Sequence, residues 1–385
     1  MGSHGAGPGA GSAPAGLRAK AARWTAGGAV LAALLGGGML AAPAALAAPS
    51  IPVPCSTTAL RNALSFAPSG SILVLASGCL YSINSALPNV TSDRTIAGSN
   101  DTFRATAPGF TMLHNDAKLQ ISRLTLTDGV NTGSGDAGAL LNDAGAHLAL
   151  ANVTFRGNEG RTGGAILNKG ELTVASSTFT GNEATDVATG GGAIDNAAGA
   201  ATTVTSTTFT ENEAVNGFGG AVESVGGGVT MQAPASTFTG NFARFEGGAL
   251  DSFLGTLTVT GATFTGNETD GDGGAVSNVG AAATLSHDGF TGNEAGQDGG
   301  AVATFSTTSL VSDTFSRNRA DRRGGGLFVG GGTATLDTTD IFANTAEGPG
   351  LAGGGIYRSG GTVIFGNNVI VRVNAPNNCT NVTCP

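Results

Sequence analysis

Two short motifs alternate through this chain and stay in phase over more than half of its 385 residues. The first is Phe-x-x-Asn, at Phe155/Asn158, Phe179/Asn182, Phe209/Asn212, Phe238/Asn241, Phe264/Asn267, Phe290/Asn293 and Phe315/Asn318. Ile341/Asn344 continues it with an aliphatic side chain. The second is Gly-Gly-(Ala/Gly)-aliphatic, running from Gly163-Gly164-Ala165-Ile166 to Gly353-Gly354-Gly355-Ile356, with Ala137-Gly138-Ala139-Leu140 as a degenerate earlier copy. Copies of the first motif recur every 24 to 30 residues. A locked period of that size implies stacked units, each burying its apolar side against the next. Leucine-rich repeats would carry a Leu-x-x-Leu-x-Leu pattern that is missing here. Helical repeats need longer units with few Gly, and propeller blades need about 40 residues. The remaining solution is all-β: a right-handed parallel β-helix whose coils each contain three short strands.

The columns fit that solution. Five residues ahead of each aromatic or its Ile stand Leu150, Val174, Val204, Ala233, Val259, Leu285, Leu310 and Leu336, which read as inward strand positions. The Phe column would stack within the core. The Asn column would form a ladder at a turn, each amide satisfying its neighbour and the backbone. The Gly pairs would permit tight bends and close backbone approach. At roughly 4.8 Å per coil, about twelve coils would span about 55–60 Å.

Composition narrows the function classes. Gly accounts for 65 residues and charged side chains for only 12%, with a formal charge of -9. Lys is confined to Lys20, Lys118 and Lys169. No basic face can dominate such a chain, so nucleic acid is not an expected partner. Residues 1–47 read as an export signal: Arg18, Lys20 and Arg23, an apolar run over 26–42, then Ala45-Leu46-Ala47 as a small-x-small cleavage site. No later apolar run is long enough to span a membrane. The expected organisation is thus signal peptide 1–47, N-terminal cap and first coils 48–110, repeats 111–373 and a C-terminal cap 374–385. Four Cys follow the signal, and in an exported chain an even number suggests disulfides. Their grouping predicts Cys55–Cys79 and Cys379–Cys384, one pair at each end of the domain. Ala59, Leu60, Ala63 and Leu64 at helical spacing predict a short capping helix within 55–67, followed by a strand over 71–75.

The alternation of Phe-x-x-Asn with Gly-Gly-Ala-Ile resembles the repeat of the chlamydial polymorphic outer-membrane proteins. More broadly it is similar to extracellular β-helix proteins of the pectin-lyase-like fold. The match covers about residues 137–344, and Cys55-Ser56 with Leu60-Arg61 and Ala63-Leu64 resembles the capping piece of secreted bacterial β-helix proteins. The resemblance implies cell-surface adhesion or glycan recognition. It does not carry over outer-membrane anchoring, because no series of alternating ten-residue strands follows Asn344.

Candidate chemistry lies one residue beyond each Gly-Gly-Ala-aliphatic motif. Those positions are expected to point outward and read Leu167, Asp195, Glu223, Asp251, Ser277, Ala303, Phe328 and Tyr357. Asp195, Glu223 and Asp251 on successive coils would lie about 5 Å apart. That spacing suits a retaining glycosidase, although the simpler expectation is an exposed acidic patch. Phe328 and Tyr357 are candidates for stacking on sugar rings. In the turns, Asp270, Asp272 and Asp298 are candidate calcium ligands, with Glu246, Glu268 and Glu294 nearby, though the spacing of a full calcium loop is absent. Arg317, Arg319, Arg322 and Arg323 on the next coil are placed to neutralise them. His114, His147 and His287 lie outside the motifs and read as surface or turn residues. No nucleotide loop or nucleophile triad can be assembled. The expectation is a secreted, monomeric binding module for a polysaccharide or cell-surface ligand. A polysaccharide lyase or glycosidase working on the carboxylate ladder is the alternative.

Overall fold

A computed structural model of the chain describes residues 48–385 except 134–136, 188, 233–234 and 281. The expected export signal, 1–47, lies outside the described residues. The fold is a parallel β-solenoid of about twelve turns, as the repeat requires. Its strands form three sheets of 23, 11 and 9 strands among the described residues. One coil shows the plan. Ile166–Asn168 lies in the 11-strand sheet, Glu171–Ala175 and Thr178–Thr180 in the 23-strand sheet, and Glu183–Ala184 in the 9-strand sheet. Each strand pairs in parallel with its counterpart on the next coil. Phe155, Phe179 and Phe209 are direct partners, as are Ile166 and Ile194.

This register stacks like on like. The seven rings of Phe155, Phe179, Phe209, Phe238, Phe264, Phe290 and Phe315 are fully buried, with neighbouring centroids 4.7–4.9 Å apart and interplanar angles no larger than 17°. Tyr81, Phe103 and Leu126 hold the same column in earlier coils, which the motif does not reveal.

The Asn ladder is continuous through Asn158, Asn182, Asn212, Asn241, Asn267, Asn293, Asn318 and Asn344. The backbone N–H and the Nδ2 of each rung donate to the Oδ1 of the Asn one coil on, at 2.8–3.2 Å. Each Nδ2 also reaches back to a main-chain carbonyl. Asn182 reaches the carbonyl of Phe155, Asn267 that of Phe238, Asn293 that of Phe264 and Asn318 that of Phe290. A residue at a turn ordinarily meets water, but Asn267, Asn293 and Asn318 are as fully buried as the Phe rings they follow. They sit between two strands at a corner of the coil, with the side chain turned inward. The amides therefore close a turn that would otherwise bury unpaired backbone groups. The Gly pair divides its work. Gly247 takes a φ of +63°, while a Cβ on Gly248 would sit 2.2 Å from the Gly274 carbonyl oxygen.

One inward column differs from expectation. Ala233 falls outside the described residues, and Met231 takes the place between Val204 and Val259. Two extra residues between strand and Phe238 displace the motif count there.

Two polar columns escape the sequence reading. Asn115, Asn142, Asn168 and Asn196 form a second buried ladder, linked by Nδ2–Oδ1 bonds of 2.7–2.8 Å, and Ser224 continues it. Two residues before five of the seven Phe, Ser177, Thr207, Ser236, Asp288 and Asp313 are buried at a sharp bend, while Val153 and Ala262 hold the place before Phe155 and Phe264. There each side-chain oxygen accepts a backbone N–H from the preceding coil, as Asp288 does from Ala262 and Asp313 from Asp288. Burial lifts the Asp288 carboxyl to about 7 and that of Asp313 to about 8.

Both ends are closed. At the N-terminus Thr57–Phe66 is a helix, with the Ser56 hydroxyl accepting from Ala59 N–H and Leu60 and Leu64 buried against the first coils. Ser71–Leu75 is the predicted strand. Both expected disulfides are present, with Cα–Cα separations of 5.4 Å for Cys55–Cys79 and 5.8 Å for Cys379–Cys384. Cys379–Thr380 adds a last strand beside Ile356–Arg358, and Asn378 receives the final donors of the Asn ladder from Asn374. Among the described residues no helix is long and apolar enough to cross a membrane.

Phe238→Ala should destabilise the domain by about 3–5 kcal/mol in denaturant unfolding, the usual cost of emptying a ring-sized core site. Asn241→Ala should cost several kcal/mol despite removing little volume, because it orphans two buried donors on Asn212 at about 1–3 kcal/mol each. A loss below about 1 kcal/mol at either position would contradict the ladder account.

Candidate functional site

Asp195, Glu223 and Asp251 follow the inward residues Ile194, Val222 and Leu250 on three paired strands, Ile194–Asn196, Val222–Val225 and Leu250–Phe253. Direct pairing stacks them in the order Leu167, Asp195, Glu223, Asp251, Ser277, Ala303, Phe328, Tyr357, as the period predicts. Their exposure is the surprise. Asp195, Glu223 and Asp251 retain only 8%, 2% and 4% of their accessible surface. The expected acidic patch on the surface is a buried ladder. The chain entering each coil from the 9-strand sheet passes over this face before reaching its Gly pair. There Gly190 donates its N–H to Glu223 Oε2.

Stacking carboxyls under cover has electrostatic consequences. Burial chiefly, and Asp195 and Asp251 on either side, push Glu223 up to about 9. Burial raises Asp195 to about 6, with Asp186 adding to the rise and Lys169 opposing it. Asp251 stands well above the usual carboxylate range, from burial and then from Glu246. Like charges about 5 Å apart in a dry site cannot all ionise, so the ladder holds protons at neutral pH. Glu246, half-buried, accepts a 2.8 Å hydrogen bond from Ser277. Asp251 Oδ1 is buried with no hydrogen-bond partner among the described residues.

Glu223, Asp251 and Glu246 meet in a pocket of about 360 Å³, toward the small end of the roughly 300–1,000 Å³ typical of small-molecule sites. Phe218 and Phe253 wall it, with Val225, Val279 and Thr189 completing the lining. Phe253 is 43% exposed at the mouth. Phe218 is held from behind by Phe245, with ring centroids 5.2 Å apart. Among the described residues no Lys, Arg or His lines this space. The sequence flagged two of the three acids. It missed Glu246 as their companion and both Phe walls, because these stand in columns whose residue type changes from coil to coil, Phe218 and Glu246 before the Gly pair and Phe253 between Val225 and Val279. Two larger, more open hollows lie around Leu80 and Arg104, where Arg104 is tied to Asp128 at 2.7 Å.

The other candidates are placed differently from expectation. Phe328 is buried, and Tyr357 is only half-exposed. The Arg323 guanidinium lies 5.4 Å and 5.0 Å from their ring centroids, so it occupies the face a sugar would use. Nor are the calcium candidates gathered into a site. Asp270 pairs with Arg244, Asp298 with Arg323, and Asp272 Oδ1 accepts from the Asp298 N–H. Among the described residues no group of three or more potential ligands is assembled to hold a metal ion. Arg319 bridges Glu294, Asp321 and Glu347, so this coil does neutralise its acidic neighbours, as the sequence suggested. His147 pairs with Glu171 on the surface, and His287 sits at a bend with φ +59°.

The raised carboxyls tie stability to pH. The unfolded chain releases the Glu223 proton near 4.5, whereas the folded protein keeps it to about 9. Between those values the folded state binds more protons. Stability is therefore full below the lower value and falls as pH rises, by up to about 1.4 kcal/mol per pH unit for each such proton. The melting temperature should drop between about pH 5 and pH 8. Glu223→Gln should flatten that dependence and raise stability at the alkaline end. An unchanged pH profile in the variant would show that Glu223 is ionised in the fold.

No protein-family model, curated protein or solved structure matches this chain.

Proposed function

We propose that this chain is an exported carbohydrate-binding β-helix, with a sugar ring seated between Phe218 and Phe253 above Glu223 and Asp251. The pocket carries this reading. It combines apolar walls, which suit the flat faces of a pyranose, with convergent oxygen groups that suit its hydroxyls. A carboxyl that holds its proton can both donate to and accept from a hydroxyl. The export-signal pattern, the two disulfides and the resemblance of the repeat to cell-surface β-helix proteins support a place outside the cell, on a surface or free in the medium.

Glycoside hydrolysis is the second reading, and one observation favours it. Glu223 and Asp251 line the same pocket on adjacent strands, and adjacent strands give roughly the carboxyl spacing of a retaining enzyme. A lyase has less support, because no Lys, Arg or His lines the pocket to act as its base.

A glycan array followed by calorimetry on residues 48–385 tests the binding reading. Binding should weaken at least about 10-fold in Phe253→Ala, equivalent to about 1.4 kcal/mol. The ring is partly exposed, so its loss should leave the fold intact. A folded protein that binds no glycan would overturn the reading. Reducing-end release from any bound glycan, abolished in Glu223→Gln, would establish the hydrolase instead.

A further inference from the structure

We propose that the group this pocket selects is a protonated amine, so that its saccharide is an amino sugar with a free ammonium rather than a neutral or N-acetylated one. This rests on the carbohydrate reading above and names the class of sugar.

Charge is the first argument. Three carboxyl side chains, Glu223, Glu246 and Asp251, converge on one small space whose lining includes no cation. Basic side chains of the neighbouring coils are committed elsewhere. Arg244 pairs with Asp270, and Arg323 pairs with Asp298 and covers two rings. Lys169 acts on Asp195, one coil away from the pocket. The site is complementary to a positive ligand by construction.

Asp251 supplies the independent observation. It is only 4% exposed, it lines the pocket, and its Oδ1 has no hydrogen-bond partner among the described residues. A buried acceptor left open is costly. An ammonium brings three donors and a full charge, and so answers that acceptor better than a hydroxyl. The walls agree. The faces of Phe218 and Phe253 attract a cation through their ring quadrupoles and would shield it from water. A metal ion is a poor match for the same space. Phenyl walls offer it no oxygen ligands, and no three-ligand group is assembled among the described residues.

Proton linkage gives the proposal a signature. Without ligand the acids hold protons, and an ammonium displaces one as it enters. Affinity should therefore rise with pH across the range where the amine stays charged. The charged groups around the acids are Asp195 and Asp186 with Lys169 on one side, and Asp272 with Arg322 and Arg323 on the other. Glu223 keeps its proton beyond neutrality, so the linkage extends through neutral pH.

The test is calorimetry on residues 48–385 with three probes: the β-1,4-linked glucosamine tetramer, its fully N-acetylated counterpart and cellotetraose. Each is run at about pH 5.5 and about pH 7 on the wild type, Asp251→Asn and Phe253→Ala. The free-amine tetramer should bind at least about 10-fold more tightly than either other probe, and more tightly at the higher pH. Asp251→Asn should bring the three probes within about 3-fold while keeping its thermal transition. Should that variant fail to fold, Phe253→Ala serves instead and should weaken the glucosamine tetramer at least about 10-fold. Equal or tighter binding of the acetylated or neutral tetramer to the wild type would overturn the amine assignment and leave the carbohydrate reading standing. A folded protein that binds none of the three would overturn the amine assignment, and silence on the wider glycan array as well would overturn both.

Discussion

Every coil hydrogen-bonds in register to the next, so each side chain meets its own equivalent one strand spacing away. The rest of the structure follows from that constraint. Where the equivalent is a phenyl ring, the result is a nearly parallel stack buried along the core. Where it is an Asn, the side chain is both donor and acceptor, and a ladder forms that satisfies itself and the turn. Where it is a carboxylate, repetition is unfavourable, because stacking multiplies a charge that cannot be shared without a proton.

The molecule handles that third case in two ways. On the 9-strand sheet, Glu159, Glu183 and Glu213 are in register but lie toward the surface, and further along Glu294 meets Arg319. On the 11-strand sheet, Asp195, Glu223 and Asp251 are in register and covered. The cover raises their affinity for protons and leaves an oxygen of Asp251 without a partner. One residue on, where strand alternation turns the side chain the other way, the column holds the uncharged Asn196, Ser224 and Ser252.

Much of the fold was legible in the sequence because it repeats. The Phe and Asn columns, the Gly pairs, the capping helix and the cysteine pairing can all be read from spacing and residue type. What stayed hidden does not repeat, or repeats with changing chemistry. The bend column changes among Ser, Thr and Asp and is broken by Val153 and Ala262, so no single letter marks it. Met231 replaces the counted Ala233 because two residues are inserted between its strand and the next. The site was half legible. The period located Asp195, Glu223 and Asp251 on one face, but strand alternation says only that a side chain leaves the core. Whether it meets water depends on the residue directly before each Gly pair, a column that keeps the period but changes chemistry from Gly190 to Phe218 to Glu246. Phe328 and Tyr357 were misjudged for the same reason, since Arg323 fills that column on their side of the stack.

The connection from Gly190 to Glu223 has an evolutionary consequence. A solenoid held by identical interfaces can gain or lose a whole coil by duplication or excision, since the coils on either side of the joint still match. That freedom makes length a cheap variable wherever coils are interchangeable. It ends where one coil's loop reaches over the strand of the next. Removing a coil there would preserve the core and dismantle the pocket, so lineages that vary the number of turns are expected to do so elsewhere along the stack.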